Sequence, residues 1–180
     1  NESEIQRMVR PLFEEGFDII LSKNEMVSII KKVKQNANFV SLTTITYVRN
    51  AFGVLGKDIT VENSITSPFS NSVQVRCKYE KLVYLDKNSI TKNKDLVGKW
   101  KIFISKGNGA AGVLTDGKAV SIIGKAYVGN TNSACTDSLI PIGKFETKIE
   151  AENLKKYLAT KFVRFMVGTM KVSRNITQLV

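Results

Sequence analysis

Between Val73 and Tyr79 the chain reads VQVRCKY, with Val73, Val75, Cys77 and Tyr79 on one side and Gln74, Arg76 and Lys78 on the other. Alternation of this kind fits a pleated segment with one face against a core, because successive side chains of a strand point to opposite faces. Four further short apolar runs read as strands: Leu82–Leu85, Trp100–Ile104, Ala119–Val128 and Leu139–Ile142. Turn chemistry falls between them at Asp58, Asn71, Asp86–Asn88 and Thr115-Asp116-Gly117.

The flanks change period. Ile5, Met8, Val9, Leu12 and Phe13 recur at helical spacing, with Pro11 set to end or kink that helix near Arg10. Ser22-Lys-Asn-Glu25 is a capping box, and Met26, Val27, Ile29, Ile30 and Val33 follow as the apolar face of a second helix. Thr147-Lys-Ile-Glu150 is another capping box. It opens the longest predicted helix, 148–170, with an apolar stripe of Ala151, Leu154, Leu158, Phe162, Phe165 and Met166. Helices at both ends and strands between them predict an α+β fold, a strand-rich central sheet flanked by N-terminal helices and a long C-terminal helix. Residues 1–40 read as a helical segment packing on or linking to a main domain of residues 41–180. The opening without methionine and the final alternating run NITQLV read as a segment of a longer protein.

Charge narrows the function. Twenty-seven Lys and Arg against sixteen Asp and Glu give a net charge of +11, a field that gathers polyanions. Histidine is absent, which removes His-based acid–base catalysis, catalytic triads and His metal sites together. The two cysteines, Cys77 and Cys135, read as reduced thiols of an intracellular, cytoplasmic protein, and are too few for a zinc site. No apolar run approaches the ~20 residues that cross a bilayer, so no membrane partner is expected.

ISKGNGAAG (Ile104–Gly112) contains G-x-G-x-x-G directly after an apolar run. In a dinucleotide-binding fold the last glycine opens a helix, and an acidic residue follows about 20 positions on. Here Gly112 is followed by VLTDGKAVSIIGK, a hairpin pattern around Asp116-Gly117; Asp116 comes too early and Asp137 too late. The fingerprint fails. Two readings stay open for these glycines: a flexible connection between strands, or a loop whose backbone approaches a DNA phosphate, with Lys106 and Asn108 beside it.

A basic chain that gathers DNA could also carry chemistry on it. A magnesium nuclease of the PD-(D/E)xK type needs carboxylates and a lysine around a hard cation. Asp95 with Asp116-Gly-Lys118, or Asp137 with Glu146-Thr-Lys148, fits loosely. Turn and cap chemistry explains Asp116 and Glu146 more simply. An adenine methylase needs a segment of the [DNS]-P-P-[YFW] type, and Pro11, Pro68 and Pro141 stand apart. The chain reads as a non-catalytic recognition module with no metal site or cofactor of its own.

FISKGNGAAG, ACTDSL, the IEAENLKKYLATKFVRFMV helix and the RNIT stretch together resemble the region beyond the catalytic domain in adenine-specific restriction–modification methyltransferases. Upstream, VRNAFGV resembles that family's short aromatic–glycine segment, with Ala51 where a proline usually stands. The strong resemblance covers roughly residues 97–178. It implies a DNA target-recognition domain of a restriction–modification enzyme that methylates, and in some members cleaves, DNA. The expected partners are double-stranded DNA and the methyltransferase catalytic domain of the parent chain, where S-adenosylmethionine would bind. Carried over by residue, the candidate DNA contacts are Lys106 and Asn108, Arg49, Lys125 and Tyr127, the polar stretch Asn130, Thr131 and Asn132, and Lys171, Arg174 and Asn175. The competing classes are the small magnesium nuclease on Asp95, Asp116 and Lys118, and a basic protein-interaction module.

Overall fold

The computed structural model describes residues 24–108, 114, 115, 117–119 and 121–171, with Val9 and Pro11. Several predicted features lie outside them: most of the first helical segment, Ser22, Gly109, Gly112, Asp116, Arg174 and Asn175. The chain divides into two compact units, Asn1–Phe39 and Val40–Val180. In the first, α1 (Asn24–Lys34) carries Glu25 in its first turn and Lys31, Lys32 and Lys34 in its last. That order suits the helix dipole. Met26 and Ile30, four apart, are its buried residues, whereas Ile29 of the predicted apolar face is exposed.

The second unit is α+β. One sheet has the order β2-β1-β7, from β1 (Ser72–Arg76), β2 (Leu82–Asp86) and β7 (Ser133–Cys135). The other has the order β6-β3-β8, from β3 (Trp100–Ser105), β6 (Tyr127–Gly129) and β8 (Leu139–Phe145). A ribbon of β4 (Leu114–Thr115) and β5 (Lys118–Ala119) turns about Gly117, whose φ is +71°. The single central sheet of the sequence reading is therefore two small sheets. β3 is antiparallel to both its neighbours, so the glycine-rich stretch after it does not belong to a parallel βαβ unit.

Two cores meet at β3. Phe103 enters the first, with Val73, Val75, Val83, Leu85, Phe52 and Leu96; Ile102 and Ile104 enter the second, with Ile140, Ile142, Ala151, Leu154, Leu158 and Val163. A strand buried on both faces reads as a continuous apolar run, which is what KIFI supplies apart from Lys101. Phe52 and Phe103 meet edge to face with centroids 6.4 Å apart, a favoured aromatic geometry.

The sequence reading departs from the fold in three further places. The helix of 148–170 is two helices, α3 (Lys148–Leu158) and α4 (Lys161–Met170). Ala159 closes the first, and the Thr160 hydroxyl accepts from the Val163 amide to start the second, a cap that competes with helix continuation. The break re-aims the apolar stripe, so that Val163 is buried and Phe162 is exposed. Among the described residues of the run Ala119–Val128, only those at its two ends are strand. β7, fully buried, follows directly on the polar stretch Asn130–Asn132 and was not among the predicted strands. The capping box of Thr147 and Glu150 is present, with Thr147 N donating to Glu150 Oε2 at 2.9 Å.

Candidate functional site

The chain crosses from one sheet to the other twice. At Asn130–Asn132 it passes from β6 to β7, and at Thr136–Ser138 from β7 to β8. Because β7 runs parallel to β1, with Gln74 beside Ser133 and Arg76 beside Cys135, these corners lie at opposite ends of the sheets. The Thr136–Ser138 end also receives the C-terminal ends of β1 and β3 and the start of β6.

Asp137 is the centre of that end. Its Oδ1 accepts from the Gly56 amide at 3.0 Å, and Arg49 Nη2 donates to its Oδ2 at 3.0 Å. Lys106 Nζ stands 3.7 Å from the same oxygen. Backbone bonds fix the three segments: Asp137 N donates to Val54 O, and Lys106 N to Ser138 O. The Gly56 amide, then Arg49 and Lys106, hold the Asp137 carboxyl below its ordinary value, against partial burial that pushes it up. Local folding explains how Arg49 is presented. Asn50 at φ +58° and Gly53 at φ +77° turn the chain sharply, and Phe52, fully buried between them, plugs the turn into the first core. A side chain at Gly53 would strike Thr91 Oγ1 and would also have to adopt that positive φ.

Beside Asp137 lies a surface hollow of about 320 Å³, lined by Gly56, Lys57, Ile59, Cys77, Lys78, Lys81 and Ser138 as well. Lys57, Lys78 and Lys81 line this hollow, at whose edge Arg49 and Lys106 engage Asp137. Lys78 and Lys81 come from the β1–β2 turn. A second cluster continues from it: Glu80 Oε1 accepts from Tyr127 Oη at 2.7 Å and from Lys125 Nζ at 2.9 Å, while the Arg76 guanidinium lies 4.3 Å from the Tyr127 ring centroid. Tyr127 first and Lys125 next hold the Glu80 carboxyl below its ordinary range.

Four of the sequence candidates, Arg49, Lys106, Lys125 and Tyr127, thus share one end of the unit. Others lie elsewhere or face inward. Asn130 and Asn132 form the far corner: Asn130 Oδ1 accepts from Asn132 N, and Asn132 Nδ2 donates to Ser72 O. Thr131 is exposed between them. Asn108 donates to Ser105 O, and buried Lys171 donates to the Ile122 and Asn108 carbonyls. Desolvation pulls the Lys171 ammonium below its usual value. Arg174 and Asn175 lie outside the described residues.

Sequence reasoning left Asp137, Lys57, Lys78 and Lys81 out of the candidate DNA contacts, naming Asp137 only as a carboxylate of the loose nuclease pattern. Asp137 sits inside ACTDSL, a segment that carries the resemblance, and this was the available signal. No sequence signal marked the lysines, whose grouping depends on the register of β1 with β7.

Among the described residues no three His, Cys, Asp or Glu gather as a metal site. Asp95 instead accepts from Lys144 Nζ at 2.6 Å. Cys77 and Cys135 are free thiols, and burial pushes both above their ordinary values. No described helix is long and apolar enough to cross a membrane. No family model matches this chain, and neither a curated protein nor a solved structure is significantly similar to it.

Asp137→Asn is expected to cost about 1–2 kcal/mol of stability, since an amide oxygen holds Arg49, Lys106 and the Gly56 amide less strongly than a carboxylate. The sign with pH follows from the depressed carboxyl. Its contribution is complete above the unfolded value near 4 and is lost as pH falls through the folded one. Urea midpoints of wild type should therefore drop more steeply below about pH 4 than those of Asp137→Asn. Parallel curves would mean that Asp137 stabilises nothing.

Proposed function

We propose that the second unit is a nucleic-acid-binding domain whose contact surface is the end built around Asp137. The observation that supports it is that Arg49 and Lys106 engage Asp137 at the edge of a hollow that Lys57, Lys78 and Lys81 also line. Like charges repel, and the cations at this end outnumber its carboxylates, an excess that a phosphate backbone would neutralise. Asp137 sets the directions of Arg49 and Lys106 beforehand, which lowers the ordering cost when a phosphate arrives. Lys125, Arg76 and the Tyr127 ring extend the same surface.

The particular protein we propose is the target-recognition domain of an adenine-specific restriction–modification methyltransferase, non-catalytic in itself and serving a catalytic domain elsewhere in the parent chain. Support comes from the segments VRNAFG, FISK and ACTDSL. They are distant in sequence, all three carry the resemblance, and they meet through Arg49, Lys106 and Asp137. In this reading the lysines hold phosphates and set register, while base contacts set the target site. The magnesium nuclease has less support, because Asp95 is engaged by Lys144.

The test is a titration of the whole chain with duplex DNA at several salt concentrations. Engagement of the five cations predicts a log–log slope with salt of roughly −4 to −5. Binding indifferent to salt, or none by the chain and its parent enzyme, would overturn the reading.

A further inference from the structure

The β1–β2 connection is built in an unusual way. Lys81 N donates to Lys78 O and Cys77 N to Lys81 O, closing a tight turn around Tyr79 and Glu80. Tyr79 has φ +56° and ψ +37°, and Glu80 has φ +64°. Both central residues are left-handed, as in the type I′ turn that suits the twist of a hairpin. Such positions favour glycine or asparagine, because a side chain there crowds the following carbonyl. Tyrosine at the first and glutamate at the second are a local cost that the backbone alone does not require.

Glu80 has a visible reason to be there, in its bonds to Tyr127 and Lys125. Tyr79 has none inside the fold. Its side is 85% exposed, far more than that of any residue packed on the first core, although the alternation of VQVRCKY put it on the buried side. The turn lifts it off that face. The strands below are firm: Val73, Val75, Val83 and Leu85 are all buried. An aromatic ring is thus held out on a rigid mount, with Lys78 Nζ 4.5 Å from its centroid and the Asp137 hollow at its base.

We infer that Tyr79 is a stacking side chain that takes the face of a nucleobase exposed in DNA, while Lys78 and Lys81 hold the phosphates beside that base. The inference rests on the nucleic-acid reading above and adds the base contact to it. A flat ring between cations fits such a ligand: stacking accepts any base face, and the cations supply the backbone term. Burial in a fixed protein pocket would leave the lysines facing apolar surface.

The experiment compares the whole chain as wild type, Tyr79→Asn, Tyr79→Phe and Tyr79→Trp. Each is titrated with an intact duplex and with the same duplex carrying one unpaired 2-aminopurine. Wild type is expected to bind the unpaired probe more tightly and to quench its fluorescence. Tyr79→Asn should lose roughly 5- to 100-fold in affinity for that probe, with the quenching abolished, while Phe and Trp keep both. Tyr79→Asn should also melt a few degrees higher, because asparagine tolerates the left-handed turn. Equal binding and quenching by Tyr79→Asn and wild type would overturn the assignment, as would a lower melting temperature, which would make the ring a structural support. Salt-dependent binding of the intact duplex with no effect at Tyr79 would sink this inference alone. Absence of binding to either probe would sink the nucleic-acid reading with it.

Discussion

Lys101→Met is expected to destabilise the second unit by about 3 kcal/mol, the cost of leaving several buried carbonyls without a donor. Lys101 is 0% exposed, and among the described residues it forms no ion pair with a carboxylate. Its ammonium instead stands 2.9–3.0 Å from the carbonyls of Leu96, Val97, Lys99 and Asn130, which share its three N–H donors. Leu96, Val97 and Lys99 belong to the end of α2 (Lys94–Val97) and the loop after it, and Asn130 to the corner between the two sheets. One side chain therefore ties a helix end to the crossing that joins both sheets. Methionine has nearly the same length and no donor, so it removes the tie without opening a large cavity. Urea unfolding by circular dichroism measures it, and an unchanged midpoint would show that the carbonyls find other partners.

The same residue gives the fold a pH dependence near neutrality. Burial pulls the Lys101 amine down to about 7, while in the unfolded chain it returns to about 10.4. Between those values the unfolded chain binds a proton that the folded one has released, so stability rises with pH. The clean window is about pH 7 to 8.5; above it the unfolded thiols of Cys77 and Cys135 ionise while their folded forms resist, and stability turns down. A full proton difference gives about 1.4 kcal/mol per pH unit. The urea midpoint of wild type should climb across that window, and that of Lys101→Met should climb less, keeping only the smaller contribution of Lys171. The four carbonyls favour the charged amine and act to moderate the climb.

Reversing Lys57, Lys78 and Lys81 together to glutamate is expected to weaken duplex binding by on the order of 100-fold or more at moderate salt. The three line one hollow with a single carboxylate, so the change turns a cationic surface into an anionic one. The salt slope should fall in magnitude by about 3. Stability should barely change, because exposed charges contribute little to it. Lys155→Glu with Lys156→Glu, on the exposed side of α3, is the matched control and should bind as wild type does. Equal losses in the two variants would mean that net charge alone attracts DNA and that the Asp137 end has no special part.

What the sequence by itself determined is local. Alternation placed β1, and apolar runs placed most of β2, β3 and β8, because a strand with a buried face must show its period of two. Thr147 and Glu150 marked the start of α3 because a capping box acts within one turn. Arg49, Lys106, Lys125 and Tyr127 were named from segments and composition, with no view of their grouping.

Tertiary structure decided what depends on partners far along the chain. Lys171 read as a DNA contact and Lys101 as one member of an apolar strand run, yet both long side chains reach backbone carbonyls inside the fold, and no local pattern reports a distant carbonyl. Asn130 and Asn132 read as groups free to touch bases, but the corner between the sheets uses both. Tyr79 continued an alternating run until two left-handed residues turned it outward. Asp137 became the meeting point of Arg49, Lys106 and Gly56 only because β7 lies parallel to β1, a long-range pairing set by which apolar faces fit together. Charge is carried by composition, but a surface is made by the fold that brings those charges to one end.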